Sequence, residues 1–273
     1  MDDRKNPVPD LNRRLMLGIV GVAAAGVAAG ARAATVEPSH GEIVLHGRTI
    51  RFADLTHRLT KVFNFGQKPP RIAFEPIDGS GKAVGMALNR IELVEHTGTH
   101  IDAPRHFSTE GASLGEVPIG DLVVPLAILD LRGKFAVDNG ATVEPADIEA
   151  WERRHGRLPT GCCLAMWTGF DPSTPRPAGP PRIPPGPGFG PEVLELLISR
   201  RSVKGVAVDS MSIDSSGHVP QYPFHKAWLS SGRWGIEGLT NLATPPGNGA
   251  VLIVGAPPIE DATGMPIRAV AMF

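Results

Sequence analysis

Short apolar runs rich in β-branched residues recur along the chain from Glu42 onward, each bounded by glycine, proline or charged turn signals. Seven stand out: EIVLHG (42–47), RTIRFADL (48–55), RIELVEH (90–96), LVVPLAILDL (122–131), CCLAMWTGF (162–170), VKGVAVDS (203–210) and GAVLIVGAP (249–257). Their length and period are those of strands. Helical periodicity is confined to two stretches, Glu144–His155 (EPADIEAWERRH) and Pro191–Arg201 (PEVLELLISRR), where proline sits at an acceptable first-turn position. The pattern predicts a mixed α/β class in which a β-sheet dominates and helices are few.

Between Asp171 and Pro191 the sequence carries nine prolines. They remove backbone donors and fix φ, which excludes a regular helix or a central strand. A linker reading would leave a second domain of only 83 residues from Pro191 to Phe273, cut off from the histidine cluster described below. A surface loop, 171–191, inside a single domain spanning 34–273 is the better expectation.

The first 33 residues read differently. Arg13-Arg14 precede an uncharged Ala/Gly-rich run from Leu15 to Gly30, and Ala31-Arg32-Ala33 offers a small-x-small cleavage site before Ala34. This predicts a cleaved export signal of the twin-arginine type and a periplasmic or secreted mature protein. An uncleaved membrane anchor is the alternative, but the run falls short of the roughly 20 residues that span a bilayer. No stable membrane insertion is expected after cleavage.

Residues 1–33 hold five of the 27 basic and three of the 28 acidic residues, leaving a formal net charge of −3 on the mature chain. Nothing in that balance suggests a nucleic-acid partner, whose binders carry clustered positive charge. The two cysteines, Cys162 and Cys163, are adjacent within an apolar run, so they read as core residues rather than a disulfide or metal pair.

The densest chemistry lies in VEHTGTHIDAPRHF (94–107), where His96, His100, Asp102 and His106 follow the spacing H-x-x-x-H-x-D-x-x-x-H. If the strand RIELVEH continues through the motif, His96, His100 and Asp102 share one face, and Gly98 allows a bulge that draws the imidazoles together. Neutral imidazoles with one carboxylate suit zinc, manganese or iron. Any one of these histidines alone is better read as an exposed strand or loop residue. The set, crowded into an apolar strand and turn, would cost stability unless something satisfied it.

The stretch HTGTHIDAPRHF resembles the signature of the cyclase-like metal-dependent hydrolase family, of the kynurenine formamidase and isatin hydrolase type. FADLTHRL (52–59), VAVDSMSID (206–214), FHKAWLSSG (224–232), WGIEGLTNL (234–242) and GAPPIEDATGMPIRAVAM (255–272) follow in the family's order, so the resemblance covers most of the mature chain. It implies a swivelling β/β/α domain, a homodimer or larger assembly, and one or two divalent ions per chain, Zn2+ or Mn2+. It also implies that His96, His100, Asp102, His225 and Glu237 bind metal, while His106 serves as the catalytic acid/base without binding it.

Read from the residues alone, Glu237 between Ile236 and Leu239 is either a buried charge needing a cation or a surface helix residue. His218 in SSGHVP rivals His225 until the resemblance is applied, His57 is read as a strand or near-site residue, and Asp209 and Asp214 as loop-shaping residues without a direct chemical role. Formamidases of the family carry a tryptophan after the opening strand, where this chain reads KVFNFGQKPP (61–70); Phe63 or Phe65 would take over stacking on the substrate. The expected activity is hydrolysis of an amide, an arylformamide such as N-formylkynurenine or a cyclic amide such as isatin, by metal-activated water. A lactone hydrolase or cyclase of the same family, and a periplasmic protein that only binds metal, are the alternatives.

Overall fold

The seven apolar runs all fold as strands, and those at the centre of the sheet are covered on both faces. The computed structural model describes residues 39–60, 72–77, 88–138, 140–170 and 186–273. Its strands are β1 (His40–Leu45), β2 (Arg48–Asp54), β3 (Ile72–Pro76), β4 (Asn89–Leu93), β5 (His100–Asp102), β6 (Val123–Asp130) and β7 (Thr142–Val143). They continue with β8 (Cys163–Trp167), β9 (Gly188–Phe189), β10 (Gly205–Val208), β11 (Trp234–Glu237), β12 (Ala250–Gly255), β13 (Gly264–Pro266) and β14 (Arg268–Met272). Residues Pro38–Phe273 cluster into one unit.

Ten strands form a single mixed sheet in the order β1-β2-β14-β12-β6-β8-β10-β11-β5-β13. Its centre, β6-β8-β10-β11, is parallel, and the ladders on either side are antiparallel. Parallel strands covered on both faces read as continuous apolar runs rather than as alternation, which is why CLAMW and GVAV carry no polar position. Period two survives in the packing. Cys163 and Ala165 of β8, Ala207 of β10 and Ile236 of β11 enter one core, whereas Leu164, Met166, Val206 and Val208 enter the other.

Helices cover the second core. They are α1 (Arg132–Val137), α2 (Pro145–His155) and α3 (Pro223–Ser230). In α2 a capping box between Glu144 and Asp147 satisfies the first turn, and the Trp151 indole donates to the Ile128 carbonyl, fastening the helix to β6. The first core is closed by the sheet's own antiparallel strands, contributing Ala53, Leu252, Ala269 and Ile101. Thr56 bridges Leu239, and the Thr240 amide donates to the Leu55 carbonyl, so the end of β2 meets the segment after β11. This contact brings two distant parts of the sheet together beside the histidine motif.

Away from the histidine motif, the structure refines the sequence pattern in two places. The expected helix 191–201 forms over 191–200, but as a 3-10 turn, Pro191–Val193, that passes into a π-helix, Leu196–Arg200, with Val193, Leu196 and Leu197 all in the second core. Residues 171–185 of the proline-rich run lie outside the described residues, but its end is not all loop. Gly188 and Phe189, which keep their donors, pair with Thr142 and Val143 as the short strand β9.

Candidate active site

Three elements from separate parts of the sequence deliver the polar residues. β5 lies between β11 and β13, and its register sets His100 opposite Glu237 and Asp102 opposite Gly235. The first turn of α3 supplies His225. The extended strand expected through His96 does not form: β4 stops at Leu93, the chain bends, and pairing resumes only at His100. Gly98 takes φ 67, a left-handed conformation that suits glycine, and the bend returns His96 to the cluster. His96 Nδ1 then lies 2.6 Å from Asp102 Oδ1, and its Nε2 lies 3.0 Å from the Thr263 hydroxyl.

Four side chains converge almost out of reach of solvent: His100, Asp102, His225 and Glu237 are at most 8% exposed. His100 Nδ1 donates to the Gly98 carbonyl at 2.9 Å, which turns Nε2 toward Asp102 Oδ1 (3.4 Å) and Glu237 Oε2 (3.5 Å). His225 Nε2 faces Glu237 Oε1 (3.0 Å) and Asp102 Oδ2 (3.6 Å). Asp102 Oδ2 is fully buried, and among the described residues no donor lies within hydrogen-bond distance of it. Among the described residues the ion-pair partners of Asp102 and Glu237 are histidines alone. Two carboxylates, imidazole nitrogens aimed at them and a carboxylate oxygen without a hydrogen bond among the described residues fit a divalent metal cation.

The electrostatics follow from the same packing. Burial alone would lower the His100 pKa, but the hydrogen bond and charge of Asp102, with the charge of Glu237, raise it to about 9. His225 is likewise raised, burial being outweighed by the carboxylates of Asp102, Asp214 and Glu237 around its ring. Asp102 is held low, because its imidazole hydrogen bonds outweigh burial. Without a cation, protonated His100 therefore stabilises the fold fully below its ordinary value of 6.5, and that contribution disappears as pH rises through about 9. A shift of this size corresponds to on the order of 3 kcal/mol. Metal-free protein followed by scanning calorimetry should lose melting temperature across that window, and a flat or rising Tm there contradicts a paired imidazolium.

His106 occupies the short 3-10 turn after β5, with Pro104 at its first position. Its ring stacks on His96 at 3.8 Å and 28° and meets the edge of Phe107 at 4.7 Å. Burial lowers its pKa to about 4, against the opposing pull of Asp102, so it is neutral at physiological pH. A ring nitrogen of His106 also lies within 4.8 Å of ligating atoms of His96 and Asp102.

The remaining candidates separate cleanly. His218 is partly exposed and sits by Ser215 Oγ (3.4 Å) and Asp214 Oδ1 (3.9 Å). The His57 amide binds Thr99 Oγ1, placing that residue beside the motif. Asp209 accepts from the Thr168 amide and hydroxyl and the Gly169 amide, fixing the end of β8. Phe63 and Phe65 lie outside the described residues. Phe107 and Tyr222 do line the site, with ring centroids 5.0 and 5.5 Å from His225. Sequence reasoning missed both, although Phe107 directly follows His106. It also gave Asp214 no chemical role, yet this carboxylate binds the His225 ring at 2.6 Å.

The family model named Cyclase matches residues 53–215, more than half of the chain. The protein belongs to the cyclase family. Among curated relatives of this family member, isatin hydrolase from Roseibium aggregatum is 30% identical over 227 residues, covering 77% of this chain and 84% of the relative. Kynurenine formamidase from Salinibacter ruber is 27% identical over 185 residues, 67% of this chain and 78% of that one. Among solved structures, isatin hydrolase A from Labrenzia aggregata bound to benzyl benzoate superposes with a TM-score of 0.72 at 32% identity, over 82% of this chain and 93% of its own. An isatin hydrolase bound to the product analogue thioisatinate gives 0.66 at 25% identity, over 82% and 92%. The large mixed sheet with few helices is the architecture these proteins share.

Proposed function

We propose that this cyclase-family protein is a metal-dependent hydrolase of the carbon–nitrogen bond in a small amide, either an arylformamide such as N-formylkynurenine or a cyclic amide such as isatin. The observation that carries the reading is the convergence of His100 Nε2, His225 Nε2, Glu237 and the buried Asp102 Oδ2, which no hydrogen bond among the described residues satisfies, with neutral His106 beside them. The names of its relatives supply the amide chemistry.

His96, His100, Asp102, His225 and Glu237 would hold one or two ions, Zn2+ or Mn2+. A divalent cation held there supplies Lewis acidity, which acidifies water and polarises a carbonyl oxygen. His106, being neutral, accepts the proton that the attacking water gives up as its oxygen bonds to the amide carbon. It then returns that proton to the nitrogen as the carbon–nitrogen bond breaks. The Asp102 and Glu237 carboxylates favour the protonated form of His106 between those two events. Phe107 and Tyr222 offer an aromatic wall against which a planar aryl substrate can lie.

Metal-loaded protein assayed on N-formylkynurenine, isatin and small lactones, against a chelated control, should turn over at least one of the two amides. Preference for lactones would move the assignment to ester-like substrates, and no turnover of any would favour a protein that only binds metal. We also propose twin-arginine export with cleavage after Ala33. N-terminal sequencing of the exported protein should begin at Ala34, and an intact Met1 would overturn it.

A further inference from the structure

We propose that Asp214 is a positioning residue that holds His225 with its proton on Nδ1 and its Nε2 turned toward Asp102 and Glu237; the proposal rests on the cation-binding reading of that cluster. Asp214 is 1% exposed and follows β10 in the segment 209–215. Its Oδ2 lies 2.6 Å from His225 Nδ1 and accepts the His225 amide at 2.9 Å, while Oδ1 accepts the Phe224 amide at 2.9 Å. An ionised carboxylate only accepts, so Nδ1 is the donor and Nε2 is the nitrogen left for the cluster.

The carboxylate cannot easily turn away. The Phe224 and His225 amides open α3 and have no partner inside the helix, and Tyr222 before them provides no side-chain cap. Asp214 caps the helix from ten residues upstream, so its two oxygens are fixed by backbone donors before the ring is considered. Its own backbone is pinned as well: Asp214 bridges Phe189, and a Cβ on Gly188 would lie 2.1 Å from the Asp214 carbonyl carbon. The neighbouring Ile213 amide donates to Glu237 Oε1 at 3.0 Å. Consecutive residues of one loop thus orient both groups that the second half of the chain contributes.

Removing such a partner typically weakens metal binding by about 10- to 100-fold. In zinc-loaded protein with 15N-labelled histidine, NMR should show His225 coordinated through Nε2, with an exchange-protected downfield Nδ1 proton. Asp214→Asn can still cap α3 through its carbonyl oxygen but cannot accept from Nδ1 and the amides together. It should lose or shift that proton line and weaken zinc binding, measured by chelator competition, by about 10- to 100-fold. A residue that only capped the helix would lower the Tm of metal-free protein and leave zinc affinity and the proton line unchanged, which overturns the proposal. Coordination through Nδ1 in the wild-type spectrum overturns it without any variant, should Asp214→Asn fail to fold. His225→Ala separates the two readings. If it binds zinc as wild type does, the cation site itself is misassigned; if it loses zinc while Asp214→Asn does not, only the positioning role falls.

Discussion

Replacing His106 with alanine is expected to lower kcat by about 10²- to 10⁴-fold, the usual range for losing a general acid/base, while metal content stays at the wild-type level. The two halves of that expectation come from different features. Loss of turnover follows from a half-buried imidazole that stays neutral at physiological pH beside the carboxylates, placed to accept a proton at the cluster. Retention of metal follows from the fact that the tight contacts among His100, Asp102, His225 and Glu237 do not involve His106, which touches the cluster by stacking on His96. The opposite outcome has a structural route, because a His106 nitrogen is close enough to His96 and Asp102 to share an ion with them. Metal analysis of the purified variant decides between these roles, and loss of metal together with activity would make His106 a ligand. The stacked His96 ring adds a check: His106→Phe should preserve that contact and still be inactive.

The strands were legible because their cause is local. A strand covered on both faces tends to be apolar throughout, and CLAMW and GVAV announce it without reference to anything distant. β5 could not be read this way. His100-Ile101-Asp102 is polar at two of three positions and becomes a strand because β11 and β13 pair with it on both sides. β11 was equally open: Glu237 suited a surface helix until parallel pairing with β10 fixed WGIE as a buried strand. α3 was missed altogether, since its cap is Asp214, ten residues away, and no short-range signal encodes such a partner. The motif's spacing pointed to a shared metal site through strand parity, but His96 reaches Asp102 by a bend at Gly98 instead. That His225 and Glu237 join the trio was implied by family resemblance alone, because no periodicity links residues more than a hundred positions apart.

Asp102→Asn should have the largest effect on metal, a loss of affinity beyond the roughly 100-fold typical of residues that merely orient a ligand. Asp102 sits at the centre of the cluster: Oδ1 lies 2.6 Å from His96 Nδ1 and 3.4 Å from His100 Nε2, and the buried Oδ2 lies 3.6 Å from His225 Nε2. Asparagine keeps the shape but replaces one oxygen with a donor and removes the charge. Metal-free protein should suffer as well, since removing one partner of a buried charge pair typically costs about 3–5 kcal/mol. With that charge gone, the largest opposition to burial of His100 and His225 disappears, so both should titrate at lower pH than in wild type. The decline in metal-free stability between pH 6.5 and about 9 should then flatten in the variant. Calorimetry across that window and metal analysis test the same side chain through two independent quantities. Retained metal with an unchanged pH profile would show that Asp102 is not the group on which the histidines and the cation depend.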